Sequence, residues 1–374
     1  MPIIWLHRIP PRRVEACGSA VRAGRLGGRE DLLLDRQLTV GIAGVGRWGN
    51  NLLRNFAQAS CCRIGWVCDL DERTLRARGA TVPQARTTTR FEEMLADAAV
   101  EAVVVATKAV THSQLAQQAL EAGKHVFVEK PLALSASEAE NLARLADRAS
   151  LKLMVGHLMI YHPCVGMVRE MIRGGRLGRI YYMYTERVNL GVVRQDENAW
   201  WSLAPHDISM ICHLFEAEPT TVTASGQCYL QPGVEDVVFA VLSFADGRCA
   251  HVHVSWLDPH KIRKLTVVGS QRMVTFDDME TTEKIRVYDK GAEVEQNFET
   301  YAQAISIRTG DILIPKVAAD EPLKLEVRHF VDAVLDDRPI RTDGREGARV
   351  VRVLQAGAES LRRSGQPVDL STVR

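Results

Sequence analysis

With 374 residues, 46% of them hydrophobic and 25% charged, the chain has the make-up of a soluble globular protein of about two domains. Forty-seven Lys and Arg against 46 Asp and Glu leave a formal net charge of +1, which argues against a nucleic-acid groove or an anionic membrane surface as partner. No apolar run is long enough to span a bilayer, and the eight cysteines contain no C-x-x-C pair, so neither a zinc ribbon nor a thioredoxin-type motif is expected.

A protein of this length needs no disulfide staples, and free thiols in a reducing cytoplasm are the simpler reading. In residues 1–37, Arg8, Arg12, Arg13, Arg22, Arg25, Arg29 and Arg36 outnumber Glu15, Glu30, Asp31 and Asp35, and Pro10-Pro11 breaks any helix. No signal-peptide apolar core follows these charges, so a disordered extension or an over-called start is expected rather than a leader.

From Leu38 strand-like and helix-like segments alternate. Leu38–Ala43 reads as a buried strand, Trp48–Ala59 as a helix and Arg63–Asp69 as a second strand. The helix Phe91–Asp97 precedes a valine-rich strand, Val100–Ala106. Ser113–Ala122 (helix), His125–Glu129 (strand), Ser135–Ala149 (helix) and Leu151–Val155 (strand) complete the series. This order predicts a doubly wound Rossmann domain over residues 38–158.

Beyond Tyr161 the pattern changes. A helix over Val165–Arg173 and the turn Gly174-Gly175 lead into extended segments: Arg179–Val188, Thr221–Leu230, Val237–Phe244, Arg248–Trp256, Lys264–Val268 and Met273–Asp277. Ala245-Asp246-Gly247 and Gly269-Ser270 are hairpin turns, which imply antiparallel pairing. The fold class is therefore α/β: a Rossmann domain, then an α+β domain over residues 159–374 with a large, mainly antiparallel open sheet. The helices Leu325–Leu335 and Gly347–Arg362 are expected to pack back on the first domain.

Gly44-Val45-Gly46-Arg47-Trp48-Gly49 is a G-x-G-x-x-G run between a strand and a helix, the context in which it binds a dinucleotide. The first glycine makes the turn, the second admits the pyrophosphate, and the third packs helix on strand. Asp69, twenty positions past Gly49, suits a carboxylate that accepts from the adenosine ribose and repels a 2′-phosphate. NAD is thus favoured over NADP, with Arg73 nearby moderating the preference.

Val103-Val104-Val105-Ala106-Thr107, then His112, then Ala122-Gly123-Lys124-His125-Val126-Phe127-Val128-Glu129-Lys130-Pro131 resemble the glucose–fructose oxidoreductase/inositol dehydrogenase/MocA family. The resemblance implies an NAD-dependent enzyme that oxidises or reduces a secondary alcohol of a sugar, nucleotide sugar or cyclitol. It implies a homo-oligomer formed through the open face of the second sheet. It also implies a cofactor site drawn from Gly44, Gly46, Arg47, Trp48, Gly49, Asp69, Thr107, His112, Glu129 and Lys130. Lys130 is placed at the reacting hydroxyl, where burial and the positive nicotinamide lower an ammonium's pKa.

Ala204-Pro205-His206-Asp207 resembles the family's D-x-G-x-H element and makes His206 the second proton-handling group. Ser202 stands where that element has aspartate and Ala204 where it has glycine, so a carboxylate-assisted relay is in doubt. Trp201-Ser202-Leu203-Ala204-Pro205-His206-Asp207 looks most like a subgroup near bacterial nucleotide-sugar 3-dehydrogenases. Arg187 and Arg194 are candidates for a diphosphate, and His157, Tyr161 and Trp201 for the substrate cleft. Lys108 takes a place where the family often has proline, so the loop after Thr107 is expected to differ. His251 and His253 alternate on one strand face and are expected to pack or to meet a subunit rather than to bind metal. Two rival readings share the fold: a glycosidase acting by transient oxidation with recycled NAD, and a non-catalytic regulator that binds NAD or sugar.

Overall fold

The computed structural model describes residues 36–191, 193–195, 197–294 and 305–373. The expectations for the N-terminal extension lie, apart from its last two residues, outside them. Gln37–Arg374 pack as one unit.

The first half of this unit is β1 (Leu38–Ala43), α1 (Gly49–Gln58), β2 (Cys62–Cys68), α2 (Glu72–Gly79), β3 (Arg86–Thr88), α3 (Phe91–Ala96), β4 (Ala102–Val105), α4 (Ala109–Glu121), β5 (His125–Glu129), α5 (Ala136–Ala149) and β6 (Leu153–Gly156). All pairings are parallel, in the order β3-β2-β1-β4-β5-β6. Every residue of β1 and β4 is buried, as continuous apolar strands covered on both faces must be. The order reverses between β1 and β4, and a crevice opens there at the strands' carboxyl ends.

A 3-10 turn (Leu158–Tyr161) and α6 (Pro163–Arg173) lead to β7 (Ile180–Val188), α7 (Ala199–Phe215), β8 (Thr221–Gln227), β9 (Val237–Ser243), β10 (Cys249–Ser255), β11 (Ile262–Gly269), β12 (Met273–Asp277), β13 (Ile285–Val294) and β14 (Ile305–Leu313). Then come α8 (Pro322–Leu335), α9 (Gly344–Arg362) and β15 (Val368–Asp369). The strands form one sheet, β14-β13-β12-β11-β7-β10-β9-β8-β15. Hairpin-linked neighbours are antiparallel as expected, but β7 and β10 run parallel. These two are separated in sequence by α7, β8 and β9, and a crossover of that length lets a strand return in the same direction.

Helices α7 and α9 cover one face of this sheet, α7 lying on β10 and α9 on β8. On the other face Tyr182, Phe239 and Val241 are exposed. His251 and His253 sit beside Phe239 with stacked rings, their centroids 6.3 and 4.3 Å from it. Among the described residues no group of three or more His, Cys, Asp or Glu is placed to hold a metal, and no helix is long and apolar enough to cross a membrane.

Helix α7 was not anticipated, because Pro205 in its interior argues against a helix. Asn198 caps it through Trp201 N, and its apolar residues bury nearly all round. Burial on that scale outweighs the single internal bond that proline removes. Helices α8 and α9 pack on α1 and α5 respectively, so the chain's last helices brace the first sheet. Phe330 of α8 meets Phe56 and Phe127 edge-on, at centroid distances of 6.2 and 5.7 Å. Phe330 is fully buried, so Phe330→Ala should cost about 3–5 kcal/mol in urea unfolding; an unchanged midpoint would show that α8 does not brace the sheet.

Candidate active site

The glycine turn is built for close approach. Gly44 has φ +84°, and a Cβ there would stand 2.7 Å from the Ala106 backbone; one at Gly49 would stand 1.9 Å from the Gly44 carbonyl oxygen. A Cβ at Gly46 would meet nothing within 4 Å, so only this glycine faces open space. No side chain caps the start of α1, which leaves its N–H groups and positive dipole end for an anion. Asp69 lines the same cavity, its carboxylate fixed by Val45 N–H at 2.8 Å and Asp71 N–H at 3.0 Å. A dinucleotide's pyrophosphate and ribose fit this arrangement.

The cavity encloses about 2050 Å³ and runs from Gly44, Gly46, Arg47 and Trp48 past Thr107, Glu129 and Lys130 to Trp201, His206 and the inner face of the second sheet. Thr107 exchanges a hydroxyl hydrogen bond with Thr111 at 2.7 Å. His112 reaches the Pro131 carbonyl through Nδ1 at 2.8 Å and the Thr107 carbonyl through Nε2 at 3.2 Å. Burial lowers its pKa, opposed by the two carbonyls, and the ring ties the loop after β4 to the one after β5. Lys108 enters α4 without a side-chain cap and lines the cavity.

Trp48 turns its indole toward Glu129, donating from Nε1 to Oε1 at 2.5 Å. The other Glu129 oxygen accepts from Lys130 N–H at 3.2 Å. Burial raises the Glu129 pKa, opposed by the Trp48 bond and the Lys130 charge. Lys130 Nζ crosses to the second sheet's helix and donates to the Ser202 carbonyl at 2.9 Å. Pro205 has no N–H for the neighbouring Trp201 carbonyl, so this stretch of α7 is already short of helical donors. Desolvation lowers the Lys130 pKa, while Glu197 and Glu129 pull it up.

His206 lies on the same cavity wall, and its Nδ1 is buried without a hydrogen-bond partner among the described residues. Burial, then the Lys130 and Arg187 charges, hold its pKa well below the usual imidazole value. A neutral imidazole and a lysine with a weakened hold on its proton therefore share one wall. Where the resemblance leads one to look for an aspartate, the residue at 202 offers its main-chain oxygen.

Several expectations need correction. His157 is fully buried and bound through Nδ1 to Glu346 at 2.5 Å, so it stands behind the cavity wall. Tyr161 is also behind it, with its hydroxyl 3.0 Å from Thr342 Oγ1; neither residue lines the cavity. The 3-10 turn rotates them inward and presents Met159 and His162 instead. Arg187 does line the cavity but is not free for a diphosphate: Nε and Nη2 donate to Asp207 at 2.7 and 3.2 Å, and both residues are buried. Arg194 is half-exposed at the rim and pairs with Glu197 at 2.8 Å.

Glu197, Arg263, Asp278 and Lys284 complete the wall, and sequence reasoning missed all four. Nothing in the local pattern separates them from surface charges: the pairing of β11 with β7 places Arg263, the turn from β12 to β13 places Asp278 and Lys284, and the approach to α7 places Glu197.

Two profiles of known families match the chain: residues 38–157 match the oxidoreductase family with NAD-binding Rossmann fold, and residues 165–275 the GFO/IDH/MocA C-terminal domain. UDP-N-acetylglucosamine 3-dehydrogenase of Acidithiobacillus ferrooxidans is 26% identical over 84% of this chain and 94% of its own length. The NAD-dependent scyllo-inositol 2-dehydrogenase of Bacillus subtilis is 24% identical over 91% and 98%. GenD2 from gentamicin A biosynthesis, solved in complex with NAD, is 25% identical and superposes with a TM-score of 0.75 over 94% of this chain and 99% of that one.

Behind Glu129 lies Glu326 of α8, fully buried, with neither carboxylate oxygen hydrogen-bonded among the described residues. Burial, reinforced by Glu129, raises its pKa well above the usual carboxylate range. The folded chain therefore keeps a proton that the unfolded chain releases, and stability falls as pH rises above the ordinary glutamate pKa. Glu326→Met should raise the melting temperature at pH 8, by about 2–4 °C for each kcal/mol recovered, and raise it less at pH 5. Equal losses at both pH values would mean that the carboxyl is satisfied in place.

Proposed function

Because the chain belongs to the GFO/IDH/MocA family of NAD-binding oxidoreductases, we propose that it transfers hydride between NAD and a secondary alcohol or ketone of a sugar-like substrate. Within that class the first choice is a nucleotide sugar oxidised at C3, on the likeness to the 3-dehydrogenase and to its subgroup phrase at Trp201–Asp207. The observation that carries the reading is the meeting of Lys130 and His206 in the cavity that begins at the glycine turn.

Bound at the turn, the cofactor would supply hydride acceptance at its nicotinamide. The chain's own residues do the rest. The turn and the start of α1 would hold the cofactor's pyrophosphate, and Asp69 its adenosine ribose. Lys130, with one N–H given to the Ser202 carbonyl, presents its amine lone pair to the substrate hydroxyl. As the O–H bond breaks, the proton passes to Nζ, and the carbon's hydrogen leaves with its electron pair. His206, neutral before the reaction, hydrogen-bonds the same oxygen and orients it. Glu129 and Glu197 keep the lysine's pKa from falling so far that it could not hold the proton it receives.

Lys130→Ala should lower kcat by about 10²–10⁴-fold while NAD affinity, measured by calorimetry, stays within about twofold. Turnover at the wild-type rate would remove Lys130 from the mechanism. The open face of the second sheet is assigned to a second copy of the chain, since Tyr182, Phe239 and Val241 leave an apolar patch there. Phe239→Arg should shift the sedimenting species to a smaller size; a wild type that is monomeric at every concentration would overturn the assignment.

A further inference from the structure

Strands β11 and β7 set Arg263 directly opposite Arg187, and both side chains line the cavity. Like charges facing each other across a sheet repel, so each guanidinium needs an anion. Arg187 has one in Asp207. Arg263 does not: the nearest carboxylate oxygen, on Asp278, is 4.0 Å away, and its guanidinium donates no hydrogen bond among the described residues. That one carboxylate is already divided, lying 3.4 Å from His162 Nε2 and 3.5 Å from Lys284 Nζ. Two cations, Arg263 and Lys284, and the His162 imidazole thus share a single acid.

Arg263 remains 39% exposed, enough to meet a ligand in the cavity while losing part of its hydration. An arginine in that condition is a fork prepared for a carboxylate or a phosphate. Its place along the cavity narrows the choice. Arg187, directly opposite Arg263, is bound to Asp207, the residue after His206, and His206 and Arg263 line the same cavity, so the guanidinium stands at the reacting end of the site.

We propose that Arg263 binds an anionic group carried on the sugar that is oxidised, so that the preferred substrate is an acidic sugar such as a uronate. This rests on the oxidoreductase reading above. Arg263 lies outside the sequence motifs; the two-strand register and the shortage of acid around it single it out.

The test compares UDP-glucuronate with UDP-glucose, which share the diphosphate and differ only in a carboxylate, and adds free glucuronate, which has the carboxylate alone. Turnover is followed with NAD by nicotinamide absorbance, and binding to the NADH-loaded protein by calorimetry. Wild type should favour each acid over its neutral partner, glucose serving for the free sugar, by at least ~10-fold in Kd, the worth of one charge-assisted pair. Arg263→Gln should erase that preference while leaving the neutral sugars within about twofold, and Arg263→Lys should retain part of it.

Equal weakening of UDP-glucuronate and UDP-glucose, with free glucuronate unaffected, would place Arg263 on the diphosphate and overturn the proposal. So would an acid preference that is missing in wild type or survives in Arg263→Gln. If the binding preference behaves as expected but no sugar is turned over, the oxidoreductase reading fails and the anion subsite stands.

Discussion

The bond from Lys130 Nζ to the Ser202 carbonyl joins the end of β5 to the first turn of α7, and the site depends on it. Helices α8 and α9 already tie the halves together, α8 packing into the core of the first sheet and α9 into the cores of both. The lysine adds a polar link inside the cavity, leaving the first sheet and being held by α7. The same contact fixes the direction of the amine, in a cavity that the glycine turn shares with the inner face of the second sheet.

Charge is arranged around that contact with little surplus. Arg187 and Asp207 neutralise each other within the wall, which leaves His206, the residue before Asp207, without an acid partner among the described residues. His157 is spent on Glu346, and Trp48 holds Glu129 close to Lys130 without entering the chemistry itself. A buried ion pair of this kind contributes little net stability, but it fixes what the remaining groups see. The imidazole is surrounded mainly by positive charge and stays neutral, and the ammonium is desolvated and labile.

Much of this was legible in the chain. The alternation from Leu38 onward and the run Gly44–Gly49 specify the first sheet and its phosphate turn, because both rest on local rules: burial on two faces, and a backbone approach that only glycine permits. Lys130 and His206 were reached through likeness to known motifs rather than by any periodicity. The failures share a cause. His157 and Tyr161 follow a strand that ends at the crevice, but a single 3-10 turn decides which side chains face it. Arg187 looked like a free cation because its partner, Asp207, is twenty positions away on another element. Arg263 and Asp278 were invisible for the same reason, since strand register lies outside what a linear pattern can carry. Helix α7 was hidden by its own proline.

The central claim is that Lys130 exchanges the substrate proton with a pKa lowered by burial and held up by Glu197. It is tested most directly by the pH dependence of kcat/KM in wild type and Glu197→Gln. Lysine acts here as a base, so its limb rises with pH, and in wild type the midpoint should lie below lysine's ordinary 10.5. Removing the Glu197 carboxylate withdraws a charge that favours the ammonium and unpairs Arg194, which opposes it. Both changes lower the pKa, so the limb should move to lower pH in the variant. A midpoint that stays fixed or moves upward would contradict the account.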